Sequence, residues 1–319
     1  MDAKDYSIYR YLSPDGLARF WASRRIVDPR VSAREISERV GLSEAGVRAR
    51  LRSLERSGLL RGTSVTVNPS LFDARVTVVE VPIRTPKESD QLFRDLAVVD
   101  GVLFARDLLT EEERAVSVYL ASDSAGETAR RIALVRRLAP RGTTREPRAY
   151  WIPPCPREPT ALDWKLLRAF RRNPDRTLAE VAQDAGVGLK TTARRFDLLL
   201  DTHACWWSHS SDSEEWPLAL LTISLGERED SARVGSAVAA RIETWLPVAA
   251  DGLGRSPTSD GATLAGLVPV VTPAALETTV RGVLETDGVT GVRRTFGLRS
   301  ATFPQWTDER LAERTGATS

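Results

Sequence analysis

The sequence predicts an α+β chain: two winged helix-turn-helix domains, each followed by a ferredoxin-like β-α-β-β-α-β domain, in a pseudo-two-fold internal repeat. Three observations point there. A pair of short helices separated by a tight glycine turn occurs near the start, at 32–57. The sequence matches itself when displaced by 145 positions. After each helical block, period-two apolar runs and amphipathic stretches alternate in the order strand, helix, strand, strand, helix, strand.

The first helical block has clear boundaries. Ser32 is placed to cap a helix over Ala33–Val40, and Gly41 supplies the left-handed residue that ends it. Ser43 caps the next helix, which Ser57–Gly58 closes. At 100° per residue, Val47, Leu51 and Leu54 form one narrow stripe, while Arg48, Arg52 and Arg56 fall on another face. Ala45, Gly46, Ala49 and Ser53 lie between or beside them and leave room for close approach. An earlier helix, about Pro14–Arg25, is expected to complete a three-helix core with Leu17, Phe20 and Trp21. LLRGTSVTVNPS then alternates as a small β-wing would.

RVTVVEVPI (75–83) reads as a strand and PKESDQLFRDLAVVDGV (86–102) as a helix ending near Gly101. LFARDLL and RAVSVYLAS read as strands, SAGETARRIALVRRLAP as a helix and REPRAYWIP as the last strand. The second half repeats this order with WPLALLTISLG, SARVGSAVAARIETW, LPVAADGLG, ATLAGLVPVV, TPAALETTVRGVLETDGV and VRRTFGLRSATF. The expected domains are 1–68, 69–153, 159–213 and 214–307.

The repeat rests on specific pairs. Segment 31–55 lies over 176–200, so that Glu35 meets Glu180, Ile36 meets Val181, Gly41 meets Gly186, Arg50 meets Arg195, Leu51 meets Phe196 and Leu54 meets Leu199. Matches that fall on both apolar and glycine positions indicate a duplication. The proline-rich WIPPCPREPT, 151–160, is the expected linker.

Composition narrows the class. With 319 residues, 42% hydrophobic, the chain can bury several cores. Its net charge is +2, so a basic binding surface must be local. Apart from Lys4, Lys87, Lys165 and Lys190, every basic residue counted in the 45 Lys+Arg is arginine, so it is the face pattern and not arginine content that carries information. Two cysteines, Cys155 and Cys205, do not make a disulfide framework. No apolar run reaches membrane-span length, and the polar start MDAKDYSIYRYLSPDG lacks a signal-peptide core, so a cytoplasmic location and no membrane partner are expected.

EISERVGLSEAGVRARLRSLERSGLLRGTSVTVNPSLF (35–72) resembles the Lrp/AsnC family of transcriptional regulators. The resemblance is carried by Gly41, Leu42, Ser43, Arg50, Leu51, Gly58 and Asn68; LDWKLLRAFRRNPDRTLAEVAQDAGV in the second copy is similar to the family's opening helices. It implies binding to double-stranded DNA, homo-oligomerisation through the αβ domains and, as an option, an amino-acid-like effector. Family members usually carry one copy per chain, so two copies here imply an intramolecular pseudo-dimer. The family's glycine- and aspartate-containing effector turn has no clear match at Asp107–Tyr119, and the loop DGLGRSPTSDG (251–261) shares only its composition.

The expected DNA-contacting residues of the first copy are Ser43, Arg48, Arg50, Arg52, Arg56 and Arg61. Arg48 and Arg52 are front-face candidates because guanidinium groups pair with guanine edges or bind phosphates. Arg50 lies nearer the apolar edge, with phosphate contact and internal packing both open; Arg61 is a phosphate candidate at the wing. In the second copy, Lys190, Thr191, Arg194 and Arg195 are the corresponding candidates, but Asp197 repels phosphate and DTHACWW replaces the closing glycine turn. Weak DNA contact and a protein-contact role stay open for that copy. The expected DNA site is an imperfect pair of half-sites one helical turn apart, or a multiple of it.

His203, Cys205 and His209 raise a metal question, with His203 and Cys205 on one side of a strand. Zinc spacings are missing, so wing packing is the expected role, with Trp206 and Trp207 covering the apolar side of the helices. No phosphate-binding loop, nucleophile elbow or HExxH motif occurs, and no catalytic residue, metal or cofactor is assigned. The alternative is a siroheme decarboxylase-like enzyme, which the same modules also build. Its haem-binding stretches normally carry histidine within the αβ domain, and neither αβ segment here contains one.

Overall fold

A computed structural model describes residue 8 and residues 32–56, 62–110, 113–150, 152–210, 218–226, 231–241, 246–248, 263–270 and 272–316. In chain order, helices α1 (Ala33–Val40) and α2 (Glu44–Arg56) lead to strand β1 (Gly62–Val67) and a 3-10 turn at Pro69–Phe72. Next come β2 (Arg75–Ile83), α3 (Pro86–Leu96), β3 (Val102–Thr110), β4 (Arg114–Ser122), α4 (Ala125–Leu138) and β5 (Arg148–Tyr150). A second helical block holds α5 (Ala161–Arg172), α6 (Leu178–Ala185) and α7 (Leu189–Asp201), closed by β6 (Cys205–Ser210). The remainder is β7 (Leu218–Leu225), α8 (Ser231–Arg241), β8 (Leu246–Val248), β9 (Thr263–Pro269), α9 (Pro273–Leu284), β10 (Val289–Thr302) and α10 (Gln305–Thr315). The expected helix at 14–25, the closing turn Ser57–Gly58 and the loop 251–261 lie outside the described residues.

The chain divides into two compact units. One comprises Met1–Arg61, Asp107–Arg114 and Ser210–Ser300. Its first helices start as the sequence requires: Ser32 Oγ accepts the Glu35 N–H, and the Glu35 carboxylate accepts the Ser32 N–H at 2.8 Å. Gly41 ends α1 at φ 65°. Val47 and Leu54 of α2 are buried with Ile36 and Ile8, and Leu51 packs beside them. In the same unit β10, β7, β9 and β8 are neighbours in that order, all antiparallel. Leu221 and Ile223 of β7 meet Val234 and Val238 of α8 and Leu276 and Val280 of α9 in its core.

The other unit comprises Gly62–Arg106, Ala115–His209 and Ala301–Ser319. Its sheet runs β5-β2-β4-β3, with Val79, Val81, Val116 and Val118 packed against Leu92 and Phe93 of α3 and Val135 of α4. Arg131 of α4 is almost wholly buried. It donates to the Ala121 carbonyl and pairs with Asp100 at 2.5 Å and Glu127 at 2.7 Å. Its guanidinium lies against Gly101, where φ is 83° and an added Cβ would stand 2.3 Å from Nε, so only glycine fits that turn.

The alternation of LLRGTSVTVNPS suggested a small β-wing and named no pairing partner for it. In the structure β1 pairs with β6, so the strands that follow the two helical blocks form one two-stranded sheet. The cause is local: β1 is one short strand, and its free edge needs a partner. Asn68, fully buried, pins the end of this sheet. Its backbone N–H donates to the Ala204 carbonyl at 2.9 Å, and Nδ2 donates to the carbonyls of His203 at 2.7 Å and Pro153 at 2.8 Å. By contact grouping, β1 falls in a different compact unit from α1 and α2.

His203 was expected on a strand beside Cys205. It sits in the turn before β6 at φ 58°, the conformation a glycine usually takes and histidine tolerates better than most residues. That position is 145 residues after Gly58. Burial pushes its imidazole pKa below the ordinary range.

Helix α10 was missed in the sequence, where the last domain was closed at 307. QWTDERLAERT is mostly polar, and its large apolar anchors are Trp306 and Leu311, with Thr307 buried beside them. Trp306 meets Phe72 edge-on at 5.5 Å, and Phe72 stacks on Trp164 at 5.5 Å. Such ring pairs add about 0.5–1.5 kcal/mol each beyond burial.

Asn68→Ala removes the donors to the His203 and Pro153 carbonyls and the acceptor of the Ser70 N–H, at about 1–3 kcal/mol for each group left unpaired. Denaturant titration is expected to show a loss of about 2–4 kcal/mol. Asn68→Asp, which cannot donate, is expected to fare no better, and an unchanged midpoint in either variant contradicts the pinning role.

Candidate nucleic-acid interface

Helix α2 has a buried back and an open front. Val47 and Leu54 are buried, and Ala45, Arg48, Ala49, Arg52, Ser53 and Arg56 are exposed. Gly46 is half-buried, and a Cβ added there would lie 3.1 Å from Ser43 Oγ, on the helix's own cap. Ser43 accepts the Gly46 N–H at 3.1 Å, so its hydroxyl serves the helix start while remaining exposed.

The arginines differ in what holds them. Arg48 is paired with Glu44 one turn before it, with side-chain exposures of 62% and 43%. Arg56 Nε donates to the Arg52 carbonyl at 3.2 Å, which lays that side chain along the last turn. The Arg52 guanidinium makes no ion pair with a described residue. Arg50 is half-buried on the flank, consistent with its place near the apolar stripe. Arg61 lies outside the described residues. Sequence reasoning overlooked the acids: Glu44 and Glu55 both stand beside the arginine face, and Glu44 engages Arg48 directly.

The corresponding helix α7 buries Thr192, Phe196 and Leu199. Lys190, Thr191 and Arg194 are exposed, as expected of a front face. Arg195 is not. Its side chain is 22% exposed and reaches the buried Asp163 of α5 at 3.5 Å, because the flank position turns it toward the helix core. Position by position, Arg48, Arg52 and Arg56 are replaced 145 residues later by Ala193, Asp197 and Asp201. Both aspartates are exposed. The front of α7 therefore carries two cations against two anions. Its start also lacks a side-chain cap, since Gly188 replaces Ser43.

Trp206 and Trp207 are buried rather than available for stacking on bases. Trp207 packs on Phe170 at 5.1 Å and Phe196 at 4.9 Å, both edge-on, as the expected cover of the helices.

Comparison with known proteins agrees with this geometry in the first block. Residues 26–61 match the family described as winged helix-turn-helix DNA-binding. The chain is 34% identical over 62 residues to an uncharacterized HTH-type transcriptional regulator of Pyrococcus horikoshii; the match covers 19% of this chain and 40% of that protein. Among solved structures, it is similar to the siroheme decarboxylase NirDL, at 12% identity and a TM-score of 0.49 over 98% of each chain. It is also similar to the Mycobacterium tuberculosis leucine response regulatory protein LrpA, at 24% identity and a TM-score of 0.30 over 48% of this chain and 92% of that one. The likeness to winged helix-turn-helix DNA-binding proteins thus lies in the segment that holds α1 and α2. No described helix is long and apolar enough to cross a membrane.

Releasing Arg48 from Glu44 exposes a cation to any polyanion that approaches α2. Exposed pairs of this type are worth about 0.3–0.5 kcal/mol. Glu44→Gln is expected to tighten duplex-DNA binding about twofold in fluorescence anisotropy. Weaker binding by that variant would show that Glu44 itself makes a required contact.

Proposed function

We propose that the chain is a DNA-binding transcriptional regulator of the Lrp/AsnC type, with α2 as the recognition helix in the major groove. One observation carries the reading. In the segment similar to winged helix-turn-helix DNA-binding proteins, α2 keeps Val47 and Leu54 inward and presents Arg48 and Arg52 with small residues on its open side. Small residues let the helix approach a groove, and arginine supplies paired donors to guanine O6 and N7. Arg48 and Arg52 are the base-contacting candidates; Arg50, Arg56 and Arg61 are candidates for phosphate, and Ser43 orients the helix start.

The reading extends to a tandem duplication with domains at 1–68, 69–153, 159–213 and 214–307, and αβ domains that serve oligomerisation and sensing of a small amino-acid-like molecule. The duplication is supported by matching local devices at one offset. Capping boxes occur at Ser32–Glu35 and Thr177–Glu180, and left-handed glycine caps at Gly41 (φ 65°) and Gly186 (φ 66°). The αβ role is supported by β-α-β-β-α-β order in both β2–β5 and β7–β10. The enzymatic alternative finds less support, because the histidines lie in the turn before β6 and in β6 itself, outside both αβ segments.

Selection of duplexes from a random pool by the purified full-length protein tests the regulator reading. A consensus of two unequal half-sites is expected, and Arg52→Ala is expected to weaken binding to it by about 1–3 kcal/mol while relaxing preference at one base position. A pool that acquires no consensus, together with a tetrapyrrole absorbance band on incubation with an iron-porphyrin, would favour the enzyme.

A further inference from the structure

The second helical block has lost its cationic recognition front, yet it carries a different basic surface. Beside α5, a groove of about 340 Å³ is lined by Lys165, Arg168 and Arg172 of that helix, Arg176 of the following turn, and Asp184 of α6. Thr315, at the end of α10, forms its far wall. No residue of α7 lines it, so the groove is separate from the weakened front made by Lys190, Arg194, Asp197 and Asp201.

Its cations fall into two kinds. Arg168 donates to Thr315 Oγ1 at 3.0 Å, and Arg176 pairs with Asp184 at 2.6 Å. These two are held by the fold and shape the walls. Lys165 and Arg172 are exposed and make no ion pair with a described residue. They stand two helical turns apart on the same face as Arg168. At 1.5 Å per residue, that face spans about 10 Å, or roughly three nucleotide steps of a DNA strand at about 3.4 Å each. Asp184 is the one acid among the groove-lining residues, and Arg176 neutralises it. Apolar lining is confined to small or buried side chains, Ala169, Val181 and Ala185, so the groove offers little to an oily ligand.

We infer that this groove is a sequence-independent clamp for the phosphate backbone of duplex DNA, so that the second block holds DNA through α5 rather than reading it through α7. This rests on the regulator reading above and adds a division of labour to it. The first block, through α2, distinguishes bases. The second contributes affinity and salt dependence without preference. The acidic front of α7 is then no obstacle, because Asp197 and Asp201 never need to enter a groove.

The test uses the full-length protein and two fluorescein-labelled duplexes, one selected by the protein and one of random sequence, titrated between 50 and 200 mM NaCl. Each phosphate contact contributes about 0.9 to the slope of log affinity against log salt. The double variant Lys165→Gln/Arg172→Gln is expected to flatten the slope by about 2 on both duplexes and to weaken both by the same factor, about tenfold or more at 50 mM. The single variant Lys165→Gln, at an exposed position, is expected to give about half the change and guards against misfolding of the double variant. Arg52→Ala should act differently, weakening the selected duplex more than the random one. If the glutamine variants keep the wild-type slope while Arg52→Ala still weakens the selected duplex, the clamp is wrong and the regulator reading stands. If the wild-type protein binds neither duplex, both are wrong. If polyglutamate binds the wild type, fails to bind the double variant, and the DNA slope is unchanged, the groove belongs to an acidic protein partner and the clamp is again overturned.

Discussion

The inward lock of α2 governs every functional statement about the first block. Val47 and Leu54 are buried with Ile36 and Ile8, which fixes the rotation of the helix about its axis. Rotation decides which side chains face solvent, since residues on one helix are separated by fixed angles. With that back buried, Arg48 and Arg52 have nowhere to go but outward, and Ala45 and Ala49 keep the surface between them low. Burying a Val and a Leu side chain stabilises by about 1.5–3 kcal/mol each, far more than the exposed Glu44–Arg48 pair can contribute. The apolar contacts set the geometry, and the charges are left free for a partner.

The two helical blocks share local devices at one offset and differ in their exposed residues. The features that make the helices are retained at the same offset: the capping boxes, the left-handed glycines and the buried apolar positions. The arginines of α2 have no such counterpart: 145 residues after Arg48, Arg52 and Arg56 the chain has Ala193, Asp197 and Asp201. Core positions are constrained by close packing, and exposed positions cost little to change. On the proposed clamp, the second block carries its DNA-facing cations on α5, as Lys165, Arg168 and Arg172.

Much of this was legible in the sequence where the rule is local. Ser32–Glu35 and Thr177–Glu180 announce helix starts, Gly41 and Gly186 announce stops, and RAVSVYLAS coincides with β4 from end to end. What the sequence hid depends on long-range partners. β1 carries no sign that its neighbour is β6, more than a hundred residues away, because strand pattern gives a face and not a pairing. α10 is nearly all polar, and it becomes visible once Trp306 and Leu311 have Phe72 and α5 to pack on. At the site, periodicity separated the front of α2 from its back. It did not weigh Glu44 against Arg48, and it put Arg195 on a front that its partner Asp163, on another helix, pulls it away from.

Methylation protection of a duplex selected by the full-length protein reaches the central claim most directly, because guanine N7 lies in the major groove and adenine N3 in the minor. With α2 seated as described, bound protein should shield guanine N7 within at least one half-site, and Arg52→Ala should restore its reactivity there. Shielding confined to adenine N3, or none at guanine N7 under saturating protein, would contradict a recognition helix in the major groove.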